Sequence, residues 1–267
     1  MADSTVDADL LDRGGVRFAV EGPRATITLD RPEQLNAQTP HTWEALCRIG
    51  EVLDADVRVV VVRAEGRAFS AGLDRRLFGS SDVEGAPGLA SLAQRPIEQA
   101  DADIAAFQQG FSWLRDPDRV TVAAVQGHAI GAGFQLALAC DLRVVAEGAT
   151  MRMAETSLGL VPDLGGTLPL VRSVGYARAV EICLTGRDVP AEEALRTGLA
   201  NSVVTPERLD AEVDELAEAL TRAPAGATRE TLALLSQADE VVDPDQQLAA
   251  ERAAQLRRIT EIARQVE

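Results

Sequence analysis

The sequence predicts an α/β fold in which strands and helices alternate, followed by a region made mainly of helices. Short apolar runs typical of buried strands are separated by segments with helical apolar spacing, and from Ser173 onward the helical spacing dominates. The hydrophobic content of 46% in 267 residues is enough for a large core. Two glycine-rich segments each follow an apolar run, which lets a ligand approach the backbone closely there.

The N-terminal part of the chain predicts a tail, a hairpin and a helix. Residues 1–14 are polar, and we interpret them as a disordered N-terminal tail. Apolar and polar residues alternate in Val16–Val20 and in Ala25–Leu29, and the EGPR turn between them predicts a β-hairpin. Thr39 is a candidate N-cap followed by proline, and the apolar spacing from Trp43 to Leu53 predicts a helix.

The middle of the chain predicts two long buried strands and several shorter elements. Val57–Val62 and Val120–Val125 are nearly continuous apolar runs, as expected for strands covered on both faces. Further predicted elements are a loop at Gly79–Gly88, helices at Ile104–Leu114 and Phe134–Cys140, and short strands at Leu142–Ala146 and Met151–Met153. We therefore divide the chain into the tail, a core of residues 15–200 and a helical region of residues 201–267.

Composition limits the partners and the compartment. The net charge of −16 argues against binding to nucleic acid or to an anionic membrane surface. The three cysteines, Cys47, Cys140 and Cys183, are far apart and favour reduced core thiols in a cytoplasmic protein. The acidic N-terminus lacks the apolar segment of a signal peptide. With only His41 and His128, a metal site built from several histidines is excluded, and we expect no metal.

One uncharged stretch, Val120–Cys140, is 21 residues long, which is enough to span a membrane. It contains Gln126, His128 and Gln135 together with several glycines. A strand, a glycine turn and a buried helix explain this composition better than a membrane span does.

Three segments carry the residue types of a reaction site. Gly66–Asp74 (GRAFSAGLD) and Gly127–Gln135 (GHAIGAGFQ) both follow a predicted strand, and their small residues expose backbone N–H groups. The second segment also opens a helix, whose dipole favours developing negative charge. Ala154–Thr167 holds Glu155 and Asp163, and in a dry pocket such a carboxyl pair can move a proton to and from carbon. Surface turns and solvated loop acids are the alternatives for each segment alone.

Other glycine-rich and nucleophilic motifs do not fit. Leu136 stands where a Rossmann fingerprint needs its third glycine, and no Gly-Lys-Ser/Thr of a P-loop is present. Ser70 lies in the first glycine segment, but two histidines give no basis for a Ser-His-Asp set.

Together the segments resemble the motifs of the crotonase (enoyl-CoA hydratase/isomerase) superfamily. The matching stretches are LNAQT, GRAFSAGLD, GHAIGAGFQLALACDLRVVAE and AETSLGLVPDLGGTLPLVRSVG, in the order and approximate spacing of the family. The resemblance covers residues 15–205 and extends loosely into the helical tail. It implies a crotonase-like spiral of ββα units followed by a C-terminal α-helical trimerisation region. It also implies an acyl-CoA ligand, no separate cofactor, and a homotrimer or a dimer of trimers.

The resemblance implies roles for individual residues as well. The backbone N–H groups of Leu73 and Ala132 would form an oxyanion hole for the thioester oxygen. Glu155 matches the second of the two catalytic glutamates of hydratases, whereas the first falls on Gln135, an amide that orients water but cannot relay a proton. Asp163 matches an aspartate of dienoyl-CoA isomerases, although those enzymes also carry an aspartate where this chain has Gln135. Expected contacts to the acyl-CoA come from Leu35, Ala71, Asp74, Arg75, Arg76 and Gly131, with Arg31, Arg75 and Arg76 as candidates for its phosphates or as a solvated basic face.

Three functions follow from this resemblance, in decreasing order of preference. The first is isomerisation of an unsaturated acyl-CoA by a proton shuttle between Glu155 and Asp163. The second is hydration of a 2-enoyl-CoA, with Glu155 as the main acid/base and Asp163 or Gln135 holding the water. The third is non-catalytic binding of acyl-CoA, against which the two retained acids argue.

Overall fold

The strands of the protein form a larger and a smaller sheet. The computed structural model describes residues 6–79, 82–83, 85–240 and 243–266, and within them the larger sheet has six strands in the order β1-β2-β3-β4-β6-β9. These strands are β1 (Val16–Glu21), β2 (Arg24–Leu29), β3 (Val59–Ala64), β4 (Val120–Val125), β6 (Leu142–Ala146) and β9 (Ser202–Val204). The smaller sheet has the order β5-β7-β8 and consists of β5 (His128–Ile130), β7 (Thr150–Arg152) and β8 (Val189–Pro190).

Helices connect these strands and fill the C-terminal part of the chain. The α-helices of the described residues are α1 (Ala8–Gly14), α2 (Pro40–Val52), α3 (Leu89–Ala93), α4 (Ile97–Ser112), α5 (Ala132–Ala139), α6 (Thr167–Val174), α7 (Tyr176–Thr185), α8 (Ala191–Thr197), α9 (Leu209–Arg222), α10 (Ala225–Glu240) and α11 (Pro244–Val266). Short 3₁₀ helices lie at Pro32–Gln34, Arg75–Phe78, Trp113–Arg115, Glu155–Leu158 and Pro206–Arg208.

The larger sheet is covered on both faces, as its apolar strands predict. β1 and β2 form the predicted antiparallel hairpin, and β2, β3, β4, β6 and β9 run parallel. Val60 and Val62 of β3 belong to the main core with Leu46 of α2. Val59 and Val61 face the other side, where they cluster with residues of α9. Helices on both faces explain why β3 and β4 lack the alternation of a half-exposed strand.

The chain winds through the two sheets in repeated ββα turns. After β4 in the larger sheet it enters β5 in the smaller one and then α5, and after β6 it enters β7 and then the helices that begin at α6. Ser70, after β3, forms a parallel bridge to Ala129 of β5 and extends the same arrangement one turn earlier. This path confirms the predicted α/β spiral of ββα units with helices at the C-terminus.

The prediction of a disordered tail over residues 1–14 is wrong for its second half. Residues 1–5 lie outside the described part, but Ala8–Gly14 is helical and Leu10 is buried in the main core. Asp7 caps the helix by accepting from the Asp9 N–H, and Gly15 ends it with a left-handed φ of 60°. The helix packs against α2, whose Thr42 hydroxyl donates to the Gly14 carbonyl at 2.8 Å.

The predicted boundary between residues 200 and 201 does not match the packing. β9 (Ser202–Val204) pairs with β6 as the last strand of the larger sheet. Leu209, Val213 and Ala217 of α9 then cover that sheet, so this helix belongs to the core and not to a separate region. α10 and α11 contact each other beyond the core. The predicted role of the C-terminal helices in trimerisation stays a prediction.

The remaining predicted elements differ from the observed ones mainly at their ends. The helix predicted at Ile104–Leu114 is the C-terminal half of α4, and the strand predicted at Met151–Met153 is β7. The predicted helix after Thr39 is α2, and the Thr39 hydroxyl accepts from the Thr42 N–H as its cap. The loop at Gly79–Gly88 falls partly outside the described residues. Among the described helices, none combines the length and the apolar character needed to cross a membrane.

Candidate active site

Two backbone segments meet where the glycine-rich motifs end. In the first, Gln38 bridges Leu73 in parallel: its N–H donates to the Gly72 carbonyl at 2.7 Å and its carbonyl accepts from the Asp74 N–H at 2.8 Å. Because successive peptide groups of an extended segment point in opposite directions, the Leu73 N–H faces away from Gln38. Within the described part of the chain, this N–H has no protein acceptor.

The second segment is the turn between β5 and α5. Gly131 adopts φ 53° and ψ −119°, a conformation that side chains disfavour, and it sets Ala132 as the first residue of α5. The N–H groups of a first helical turn have no partner in their own helix, and that of Ala132 has none among the described residues. The two segments touch: a Cβ on Gly72 would lie 2.5 Å from the Ile130 oxygen and 3.5 Å from the Ala132 nitrogen.

A buried glutamate lies beside this pair of N–H groups. Glu155 begins a 3₁₀ helix, its side chain is buried, and a Cβ on Gly131 would lie 3.3 Å from its Oε1. Gln135, one turn into α5 and fully buried, donates from Nε2 to that Oε1 at 2.7 Å. The other oxygen, Oε2, is buried without a hydrogen-bond partner in the described residues.

The amide of Gln135 joins Glu155 to the next loop. Its Oε1 accepts from the Leu164 N–H at 2.9 Å and from the Gly166 N–H at 3.2 Å. Gly166 is required for this approach, because a Cβ there would lie 2.6 Å from Cγ of Gln135. Both ends of the amide are therefore engaged by protein atoms, a role the sequence did not indicate.

The surroundings of both carboxyl groups raise their pKa values. Burial raises the pKa of Glu155, and the negative charge of Asp163 adds to this, while the hydrogen bond from Gln135 partly offsets it. Asp163 is exposed, yet the surrounding protein atoms remove part of its hydration and raise its pKa too. Its backbone carbonyl accepts from Gln108 Nε2 of α4 at 2.7 Å, which fixes this loop against the helix.

The predicted phosphate-binding arginines separate into two groups. Asp74 is buried and binds both Arg31 at 3.1 Å and Arg76 at 2.9 Å. The hydrogen bonds from Arg76, followed by that from Arg31, lower the pKa of Asp74 to about 2. Arg75 is exposed and has no ion pair within the described residues, so it is the guanidinium most available to a ligand.

The structure brings most of the predicted site residues to one place. Leu35 is fixed to the first segment, because its carbonyl accepts from the Ala71 N–H at 2.8 Å. Ser70 is fully buried and its hydroxyl is used in hydrogen bonds to Asn36 and Gly72, whereas His128 is exposed and contacts Thr150, so no hydrolytic triad exists between them. Gln38, Gln108 and Cys183 are additional neighbours of the site for which no motif gave a signal.

The fold, the two neighbouring N–H groups and the buried glutamate occur together in one class of protein, and comparisons with known sequences find the same class. A sequence model described as enoyl-CoA hydratase/isomerase matches residues 24–265, and the chain belongs to that family. It is 36% identical to a carnitinyl-CoA dehydratase of Citrobacter koseri over 211 residues, which are 77% of this chain and 74% of that relative.

Solved structures agree with this assignment. A candidate enoyl-CoA hydratase from Thermobifida fusca YX in complex with CoA superposes with a TM-score of 0.92 at 46% identity, covering 98% of this chain and 100% of the other. The complex of a candidate enoyl-CoA hydratase from the same organism with acetoacetyl-CoA gives the same TM-score at 47% identity, covering 96% and 98% of the two chains. The present chain is therefore an enzyme of the enoyl-CoA hydratase/isomerase family.

Proposed function

We propose that this protein binds an acyl-CoA thioester and moves a proton at carbon, with isomerisation of a double bond as its principal reaction. The observation that carries this proposal is the pairing of Glu155 with Gln135: the site holds one buried carboxylate, next to an amide that is engaged at both ends, and Oε2 of this carboxylate has no hydrogen-bond partner in the described part of the chain and can accept a substrate proton. One base beside two unpartnered N–H groups suits formation of an enolate.

The residues support the following sequence of steps. The thioester oxygen accepts hydrogen bonds from the Leu73 and Ala132 N–H groups, which stabilise it as it gains negative charge. Glu155 takes a proton from the carbon next to the unsaturated system, and the electron pair shifts towards the thioester oxygen. Asp163 in its protonated form returns a proton at the distant carbon, so that the double bond moves and the elemental composition stays the same. The pKa values of both acids are raised above their ordinary values by desolvation, which brings them closer to the range in which a group can both take up and release a proton.

Hydration is the second candidate, and the names of the relatives favour it. The similar structures are of candidate enoyl-CoA hydratases, and the Citrobacter relative is a dehydratase. Water addition here would use Glu155 as the main acid/base with Asp163 holding the water, because Gln135 has no proton to relay. A site in which an amide replaces the first catalytic acid is expected to add water more slowly than it transfers a proton at carbon.

The wider setting is part of the same proposal. We expect Arg75 to contact the phosphates of CoA, and no cofactor to be needed beyond the CoA of the substrate. Leu248, Leu256 and Ile259 of α11 are large apolar residues exposed on the single chain, which supports assembly as a homotrimer or a dimer of trimers. A cytoplasmic location is expected from the reduced cysteines.

The test compares 2-enoyl-CoA, 3-enoyl-CoA and 3,5-dienoyl-CoA substrates in deuterated water by mass and absorbance. Deuterium incorporation with double-bond migration and no added water supports isomerisation, and Glu155→Gln and Asp163→Asn should each slow it by at least about a hundredfold. A gain of one water from 2-enoyl-CoA at high turnover identifies a hydratase. Binding without turnover across all three substrates would leave only the non-catalytic role.

A further inference from the structure

A chain of buried polar side chains lies directly behind the first N–H group of the site. The Trp43 indole donates to Gln38 Oε1 at 2.8 Å, and Gln38 Nε2 donates to the Ser70 hydroxyl at 3.1 Å. The Ser70 hydroxyl donates to the Asn36 carbonyl at 2.7 Å and accepts from the Gly72 N–H at 3.2 Å. Gln38 and Ser70 are both completely buried.

The direction of every hydrogen bond in this chain is fixed by chemistry. An indole N–H only donates, so the amide of Gln38 must present its oxygen to Trp43 and its nitrogen to Ser70. The Asn36 carbonyl and the Gly72 N–H each allow one role only, so the Ser70 hydroxyl donates once and accepts twice. Such a satisfied buried network holds a single geometry, because any rearrangement leaves a polar group without a partner.

Ser70 links this network to both halves of the N–H pair. Through its side chain it binds the Gly72 N–H. The Gly72 carbonyl accepts from the Gln38 N–H at 2.7 Å, so the Leu73 N–H, on the other side of the same trans peptide group, points the opposite way. Through its backbone it is bonded to β5: the Ser70 N–H donates to the His128 carbonyl and the Ile130 N–H donates to the Ser70 carbonyl, both at 2.9 Å. The first turn of α5 also packs closely against Ser70, since a Cβ on Gly133 would lie 2.7 Å from the Ser70 Cβ.

We infer that Gln38 and Ser70 are positioning residues, which hold the Leu73 and Ala132 N–H groups at one point in space. The inference rests on the proposed function, in which these two N–H groups bind the thioester oxygen. Neither side chain touches the substrate. Their effect is on the spacing and direction of the donors, and a misplacement of about 1 Å in such a site can slow a reaction by about a hundredfold.

The test measures the donors directly with a ligand that has no double bond to move. Butanoyl-CoA labelled with ¹³C at the thioester carbonyl is bound to the wild type, to Ser70→Ala and to Gln38→Met, and the carbonyl stretch is recorded by isotope-edited infrared spectroscopy. The wild type should lower the frequency of the band relative to free ligand. Both variants should lower it less, and their kcat should fall about tenfold to a hundredfold while KM changes by less than about threefold.

Thr121→Val is the matched control. Thr121 is also completely buried, and its hydroxyl donates to the Leu114 carbonyl at 2.7 Å, but it lies outside the network. This variant should lower the melting temperature, as the loss of a buried hydrogen bond does, and leave the carbonyl band as in the wild type.

The outcomes separate the two proposals. A wild-type band that shifts, together with equal shifts in folded Ser70→Ala and Gln38→Met, overturns the positioning role and leaves the proposed function intact. A wild-type band that does not shift on binding overturns the oxyanion site itself, and the positioning role with it. A band change in Thr121→Val as large as in Ser70→Ala also contradicts the inference, because it assigns the effect to general loss of stability.

Discussion

Replacing Gln135 by glutamate exchanges the NH₂ that binds Glu155 for a second carboxylate oxygen. In the present structure Nε2 lies 2.7 Å from Glu155 Oε1, while the Leu164 and Gly166 N–H groups hold the other end of the side chain in place. The new oxygen therefore cannot turn away without breaking two hydrogen bonds. Two unit charges about 4 Å apart repel by about 4 kcal/mol at an effective dielectric constant of about 20. The pair is expected to retain one shared proton, which raises its apparent pKa.

The assay follows water addition to a 2-enoyl-CoA and double-bond migration in a 3-enoyl-CoA between about pH 5 and pH 9. Gln135→Glu should gain hydration by at least about tenfold, because the second acid can relay the proton of the attacking water, and its acidic limb should move to higher pH. Gln99→Glu, which adds the same charge at an exposed position of α4, should change neither rate nor profile. Unchanged hydration and an unchanged pH profile in Gln135→Glu would refute this account of the amide.

The other predictions test the base, the turn and the phosphate contact. Since burial raises the pKa of Glu155, kcat of the wild type should fall on acidification through a pKa above that of ordinary glutamate. Glu155→Gln should lose about 10²–10⁴ in kcat. The same variant should melt at a higher temperature than the wild type at pH ~8 and gain less at pH ~5, because the buried charge that opposes folding exists only above the raised pKa. Gly72→Ala, with φ +84° and its Cβ 2.5 Å from the Ile130 oxygen, should lose about a hundredfold in kcat, whereas Gly148→Ala, with φ +75° and open space, should lose about 1 kcal/mol of stability and retain activity. Arg75→Ala should raise KM for acyl-CoA by about tenfold with little change in kcat, measured by initial rates at low salt.

The elements that were predicted from the sequence are those in which the spacing of apolar residues reflects which faces of the element are buried. Val59 and Val61 face one helical layer while Val60 and Val62 face another, so the run of valines reads as a strand covered on both faces. The hairpin of β1 and β2 was visible because only one set of its alternating residues enters the core. Such signals are local, and they needed no knowledge of the neighbours.

The missed elements depend on contacts with distant parts of the chain. α1 is short and polar, and its helical state follows from Leu10 entering the core and from the Thr42 hydroxyl binding the Gly14 carbonyl. The residue types of its caps, Asp7 and Gly15, are nevertheless ones that typically begin and end a helix, so the sequence contained a signal for it. β9 is only three residues long, and nothing in its composition distinguishes an edge strand of the larger sheet from a turn between helices.

The site likewise has features that the sequence predicted and features that depend on contacts between distant residues. The glycines at positions 72, 127 and 131 predicted turns whose backbone conformation is unfavourable for residues with a side chain, and all three have positive φ values. The partners of those turns could not be derived, because Gln38 and Gln135 are ordinary polar residues until the fold buries them and supplies their donors and acceptors. Buried amides of this kind are recognisable only from the contacts that satisfy them.

The amide at position 135 also bears on how the buried carboxylate of Glu155 would serve as the base of the proposed reaction. The Leu164 and Gly166 N–H groups can only donate, so they require the oxygen of Gln135 and leave its NH₂ for Glu155. That donor stabilises the ionised form of Glu155, whereas burial and Asp163 oppose it, and the balance leaves a pKa that is raised but partly restrained. A glutamate at position 135 would add a proton site and a charge, whereas the amide adds neither. In the proposed reaction Glu155 is thus a carboxylate tuned for proton transfer at carbon, and position 135 lacks the acid that would help to activate water.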